Sequence, residues 1–99
     1  MDIRYEYVNI TQNNYFEYLM SEKLGPIIRK YPFVDGAKVF FKVENNADHL
    51  DNICEIKIIA NNENLTAANN QESIEMAINK SAKDIETQLE HIKSQLKLN

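Results

Sequence analysis

Residues 73–96 read SIEMAINKSAKDIETQLEHIKSQL, and the spacing of their apolar residues decides the fold. Ile74, Ile78, Ala82, Ile85, Leu89, Ile92 and Leu96 recur at intervals of three and four, which gathers them into one apolar stripe along an α-helix. Ser73 is the expected N-cap, with Asn69-x-x-Glu72 an alternative capping box just upstream. A stripe this long must be covered. From Ile78 to Leu96 the spacing also fits a heptad seam, so a coiled coil between two copies competes with packing inside the chain. Fewer than three heptads give that seam little length, and the segment preceding the helix supplies a surface in need of a cover.

That segment reads as a meander. Val39, Phe41 and Val43 alternate with Lys38, Phe40 and Lys42, which predicts a strand over about 37–45 after a turn at Asp35-Gly36. Asn45–Asn52 is rich in turn formers. Beyond it Cys54, Ile56, Ile58 and Ala60 alternate with Glu55, Lys57 and Ile59, the return strand of a long hairpin. Asn61-Asn62 marks a tighter turn, after which Leu65, Ala67 and Asn69 share one face of a short strand. At the start of the chain Ile3, Tyr5 and Tyr7 alternate with Asp2, Arg4 and Glu6, giving a first strand over about 2–9. Thr11 is the expected N-cap of a helix in which Phe16, Leu19, Met20, Leu24, Ile27, Ile28 and Tyr31 follow helical spacing. Gly25-Pro26 is expected to kink or break that helix, because proline removes a donor and crowds the preceding turn; Pro32 should end it. The order β-α-β-β-β-α predicts an α+β two-layer sandwich, a four-stranded sheet with both helices packed on one face, burying Ile78, Ile85, Leu89 and Ile92. This layout resembles a double-stranded-RNA-binding domain carrying one extra N-terminal strand.

Composition removes several function classes. With 99 residues there is one core and no room for a second domain. No apolar run exceeds three residues, against the roughly 20 of a membrane helix, and the first ten residues carry Asp2, Arg4 and Glu6 where a signal peptide needs an apolar region. One cysteine, Cys54, cannot form an intrachain disulfide, which suits a reducing compartment; the expected location is cytoplasmic. Two glycines cannot write a phosphate-binding loop or a dinucleotide fingerprint. His49, Cys54, Asp48 and Asp51 can be drawn as a metal cluster, but Cys54 falls on the core face of its strand and the loop lacks ligand spacing, so a buried structural cysteine is expected. The same burial withholds the thiol from Cys–His catalysis, and no enzyme is expected. Tyr5, Tyr7, Phe16, Phe33 and Phe41 fall at core positions rather than on a base-stacking surface.

The net charge of -4 is unevenly spread. Residues 44–72 carry Glu44, Asp48, Asp51, Glu55, Glu63 and Glu72 against Lys57 alone, whereas residues 11–43 carry Lys23, Arg29, Lys30, Lys38 and Lys42 against Glu17, Glu22 and Asp35. An acidic total therefore coexists with a basic region.

The run Lys38-Val39-Phe40-Phe41-Lys42-Val43-Glu44-Asn45-Asn46, followed by Cys54-Glu55-Ile56-Lys57-Ile58, resembles the second and third strands of ribosome hibernation promoting factors, the ribosome-associated inhibitor or sigma-54 modulation proteins. Glu22-Lys23-Leu24, Tyr31, Leu65-Thr66-Ala67, Glu75-Met76-Ala77-Ile78 and Gln88-Leu89-Glu90-His91-Ile92-Lys93 extend the resemblance over nearly the whole chain. It implies a non-enzymatic protein that binds the small ribosomal subunit through ribosomal RNA, occupies the messenger and transfer RNA sites and silences translation. The end at Asn99 is read as the short form, one ribosome-binding domain over 1–99 without a C-terminal dimerisation domain. Lys23, Arg29, Lys30, Lys80, Lys83, His91, Lys93 and Lys97 are the expected RNA-binding residues, meeting phosphates on the exposed helix faces. Where the family shows a dense basic row on the second helix, this chain has Asp84, Thr87 and His91, and Glu86 and Glu90 add acid to the same exposed side. No cofactor, membrane or small-molecule substrate is expected, and the chain should be a monomer or weak dimer. The alternative is a protein-interaction module on the same fold with weakened or lost RNA binding.

Overall fold

In the computed structural model, which describes residues 2–96, the alternating Ile3, Tyr5 and Tyr7 build β1 (Ile3–Val8). The chain continues through α1 (Asn14–Lys30), β2 (Val34–Asn45), β3 (Leu50–Ala60), β4 (Glu63–Gln71) and α2 (Ile74–Leu96). The strands lie in the order β1-β2-β3-β4, with β1 parallel to β2 and the other pairs antiparallel. Parallel neighbours need a crossover, and α1 supplies it.

The register stacks residues in rows on one face, apolar except at Asn69. Tyr5, Val39, Ile56 and Ala67 form one row and Tyr7, Phe41, Cys54 and Asn69 the next. Both helices cover this face. From α1 come Met20, Leu24 and Ile27; from α2 come Ile74, Ala77, Ile78, Ala82, Ile85, Leu89 and Ile92, all buried. The apolar stripe of α2 thus packs within its own chain. Ser81 is a buried polar residue of α2, and its hydroxyl donates to the Cys54 carbonyl at 2.7 Å and accepts from the Asn69 amide at 3.0 Å. That pins the helix to β3 and β4, and among the described residues no buried side-chain nitrogen or oxygen is left without a hydrogen-bond partner.

Local chemistry explains the boundaries. Asn61 and Asn62 both adopt positive φ, 51° and 63°, the conformation a two-residue hairpin turn demands and asparagine tolerates. Ser73 caps α2, its Oγ accepting from the Met76 amide at 3.1 Å. Two expectations for α1 are corrected. Its N-cap is Asn13, not Thr11: the Asn13 side chain accepts from the Tyr15 amide at 2.9 Å, and the Asn13 carbonyl lies 3.0 Å from the Tyr7 hydroxyl. Of the kink or break expected at Gly25-Pro26, the break does not occur: the helix continues through it, because Leu24 and Ile27 are buried on either side of the proline and tertiary packing outweighs one missing donor. β2, β3 and β4 are longer than the alternation alone suggested, β1 is slightly shorter, and the turn between β2 and β3 shrinks to residues 46–49. There Asn46 N–H donates to the His49 carbonyl at 2.9 Å and the Asn46 side chain donates to Asp51.

Among the described residues no helix is long and apolar enough to cross a membrane.

Candidate nucleic-acid interface

Two neighbouring helices on one sheet face leave a furrow between them, and the outward edges of their stripes decide what lines it. Lys23, Pro26, Ile27 and Lys30 from α1 face Asn79, Ala82, Lys83 and Glu86 from α2 across an open groove of about 510 Å³. Three of the eight expected RNA-binding residues, Lys23, Lys30 and Lys83, are brought together here. Lys30 also lies 5.5 Å from the centre of the Tyr31 ring, and Lys93 lies 6.0 Å from the same ring, so Lys93 extends the cationic edge beyond the groove. Tyr31 is buried and fixes both stems against the core. The Tyr31 hydroxyl and then the Glu86 carboxylate push the Lys30 ammonium above its ordinary value, so it stays charged throughout the physiological range.

The remaining expected residues lie elsewhere. Arg29 leans back over the small Gly25, its Nη1 3.4 Å from where a Cβ would stand. Lys80 pairs with Asp84 at 3.6 Å. His91 is on the other flank of α2, beside Gln88, Gln95 and Glu63, with Gln95 Nε2 3.2 Å from its Nε2. Lys97 lies outside the described residues.

Two of the four acids of α2, Asp84 and Glu86, also have partners. Asp84 accepts from the Asn69 amide of β4 at 2.9 Å, and Glu86 reaches across the groove to Lys30 at 3.5 Å. Asp84 therefore faces the sheet edge and Glu86 faces α1, rather than sharing one exposed row. Phosphates entering the groove would compete with Glu86 for Lys30, an exchange between exposed partners that costs little.

Sequence reasoning missed a second basic cluster, on the sheet face that no helix covers. The register aligns Arg4, Lys38, Lys57 and Thr66 in one row across the four strands, with Phe40 in the row beside it. The ammonium groups of Lys38, Lys42 and Lys57 lie 5.2, 5.2 and 5.4 Å from the centre of the Phe40 ring. Alternation places each residue on the outward face, but only the cross-strand register makes them neighbours.

At the hairpin loop His49 lies between Asp48 and Asp51, at 2.9 and 3.1 Å, while Cys54 is buried with its sulfur 4.0 Å from the Met20 sulfur. The four residues once drawable as a metal cluster are thus split between a surface loop and the core.

A sequence profile described as Sigma 54 modulation protein / S30EA ribosomal protein matches residues 3–97. Among solved structures, a ribosomal subunit interface protein from Coxiella burnetii superposes with a TM-score of 0.84 at 16% identity, covering 95% of this chain and 99% of that one. The N-terminal domain of Protein Y from Thermus thermophilus superposes with a TM-score of 0.75 at 19% identity, covering 93% and 99%. At these identities the likeness is one of fold. A search of curated protein sequences gives no match.

Proposed function

The chain belongs to the sigma-54 modulation / S30EA ribosomal protein family, and from that premise we propose that it is a ribosome-associated cytoplasmic protein that binds the small subunit through ribosomal RNA. It acts as a translation inhibitor by occupying the messenger and transfer RNA sites, as one RNA-binding unit without catalysis. The observation that carries this reading is the convergence of Lys23, Lys30 and Lys83 on the groove between α1 and α2, with Lys93 alongside. A folded RNA cleft is recognised by its shape and its phosphates, and a grooved, cation-edged helix layer suits that task.

A second reading has its own observation. The Lys30–Glu86 and Lys80–Asp84 pairs offset two of the helix cations, and a protein-interaction module with weakened RNA affinity would carry such a neutralised surface.

Cosedimentation with isolated small subunits over a range of salt separates the two. Four phosphate contacts at roughly 0.7 to 0.9 each give a log–log salt slope of about -3 to -4. Glu86→Lys should tighten binding by releasing Lys30, and the pair Lys23→Glu and Lys93→Glu should weaken it and flatten the slope. A flat salt response with indifference to both changes would leave the interaction module as the better account.

A further inference from the structure

The uncovered sheet face has a feature that folding alone does not favour. Arg4, Lys38 and Lys57 stand side by side across β1, β2 and β3 with no acid in their row, and like charges directly opposite on adjacent strands destabilise a sheet. Relief from neighbouring rows is partial. Glu6 reaches Lys38 at 3.3 Å and Glu55 reaches Lys42 at 2.9 Å, while among the described residues no ion pair engages Arg4 or Lys57. Phe40 holds the ammonium groups of Lys38 and Lys57 close to one ring, which keeps the cations gathered instead of letting them spread.

Beside this row lies an open groove of about 480 Å³. Gly36 lines it, and a Cβ there would meet nothing within 4 Å, so the space is left free by the missing side chain. Ile59, 49% exposed, offers an apolar wall, and Asn64 and Thr66 offer hydrogen-bonding groups. An apolar wall, an amide, a hydroxyl and an adjoining line of three cations match the parts of a nucleotide: a flat base with polar edges and an anionic backbone. In a chain of net charge -4, only such a concentrated patch can attract a polyanion.

We infer that the outer sheet face is a second RNA-binding surface, opposite the helix groove, which takes a single-stranded segment with its phosphates on Arg4, Lys38 and Lys57 and one unpaired base in the groove at Gly36, Ile59 and Asn64. A protein with RNA sites on both layers can hold two strands apart or bridge two RNA elements. This inference stands independently of the small-subunit reading, since it concerns different residues and a different probe.

Fluorescence anisotropy with labelled twelve-nucleotide oligouridine and oligoadenosine tests it on the full chain at low salt. Saturable binding is expected, with a salt slope of about -2 from three contacts at roughly 0.7 each. Lys57→Glu should weaken it at least tenfold. Gly36→Leu, which fills the groove without touching a charge, should do the same, whereas Lys83→Glu in the helix groove should change it less than twofold. Binding within twofold of the unaltered protein in either sheet variant overturns the proposal. So does an equal loss in Lys83→Glu, which would mean diffuse charge attraction, and so does displacement of the probe by poly-glutamate as effective as by unlabelled RNA, which would mark the face as a reader of acidic polypeptide. Each variant's unfolding midpoint, measured alongside, ensures that only folded protein is compared.

Discussion

Phe41→Ala should lower the stability of the domain by about 3 to 5 kcal/mol, because it removes a fully buried ring and leaves a cavity that its neighbours cannot refill. Phe41 sits where three elements meet: its ring centre lies 5.9 Å from that of Tyr5, 5.2 Å from Tyr7 and 5.7 Å from Phe16, joining β1, β2 and α1. A domain of this size holds about 5 to 15 kcal/mol in total, so the loss takes a large share of it. Phe40→Ala, one residue away on the opposite face, should cost about 1 kcal/mol or less, since it forfeits contacts with exposed lysines rather than core volume. Chemical denaturation of both variants checks the contrast; equal losses would refute the division of β2 into an inner and an outer face.

Alkaline conditions should destabilise the protein steeply, beginning near pH 9. Burial pushes the Cys54 thiol from 9.0 up to about 12, with the Ser81 hydroxyl opposing and Glu55 adding to the rise. A thiol is neutral while protonated, and its folded pKa stands above its unfolded one. Its contribution is therefore complete below pH 9 and is lost progressively as pH climbs toward 12, about 4 kcal/mol across the window at ~1.4 kcal/mol per unit. Tyr7 acts in the same direction from pH 10 upward. Burial, and then the 2.8 Å bond its hydroxyl donates to Glu17, push it from 10.0 to about 12. Denaturant midpoints measured from pH 7 to 11 should hold steady to about 9 and then fall, and Cys54→Ala should flatten the onset between 9 and 10. A midpoint unchanged up to pH 11 would refute this, as would an unaltered onset in the variant.

Elements that declare themselves by periodicity were legible in the sequence. The stripe of α2, the alternations of β1, β2 and β3, the Asn61-Asn62 turn and the Ser73 cap all follow from residue types at fixed spacing, and each is present. Decisions made by contacts between elements were not. Thr11 and Asn13 are both able caps, and Asn13 holds the position, with Tyr7 and Glu17 packed against the helix start. Proline inside α1 reads as a breaker until Leu24 and Ile27 are seen to be buried on both sides of it. The site divides in the same way. Lys23, Lys30 and Lys83 were nameable from the chain, but that Glu86 faces Lys30 depends on how α2 is rotated against α1, and that His91 lies on the far flank depends on the same rotation. The row of Arg4, Lys38 and Lys57 depends on a register that no single strand encodes.

The parallel pairing of β1 with β2 also orders events in time. The hairpin of β2 and β3 closes between Asn45 and Leu50, whereas β1 must bring Ile3 to Ala37 across the whole of α1. Loop closure makes the second step costlier by roughly 1.5 to 2 kcal/mol in chain entropy. The hairpin and the strand that follows it are therefore the expected folding nucleus, with β1 expected to arrive after the rate-limiting barrier. Conservative substitutions at Ile3 and Tyr5 should accelerate unfolding with little change in the folding rate, while substitutions at Ile56 and Ile58 should slow folding. The outer cationic row, which needs Arg4 beside Lys38, is then completed only in the last stage of folding, so a chain still lacking its first strand would have two of the three cations and an unfinished surface.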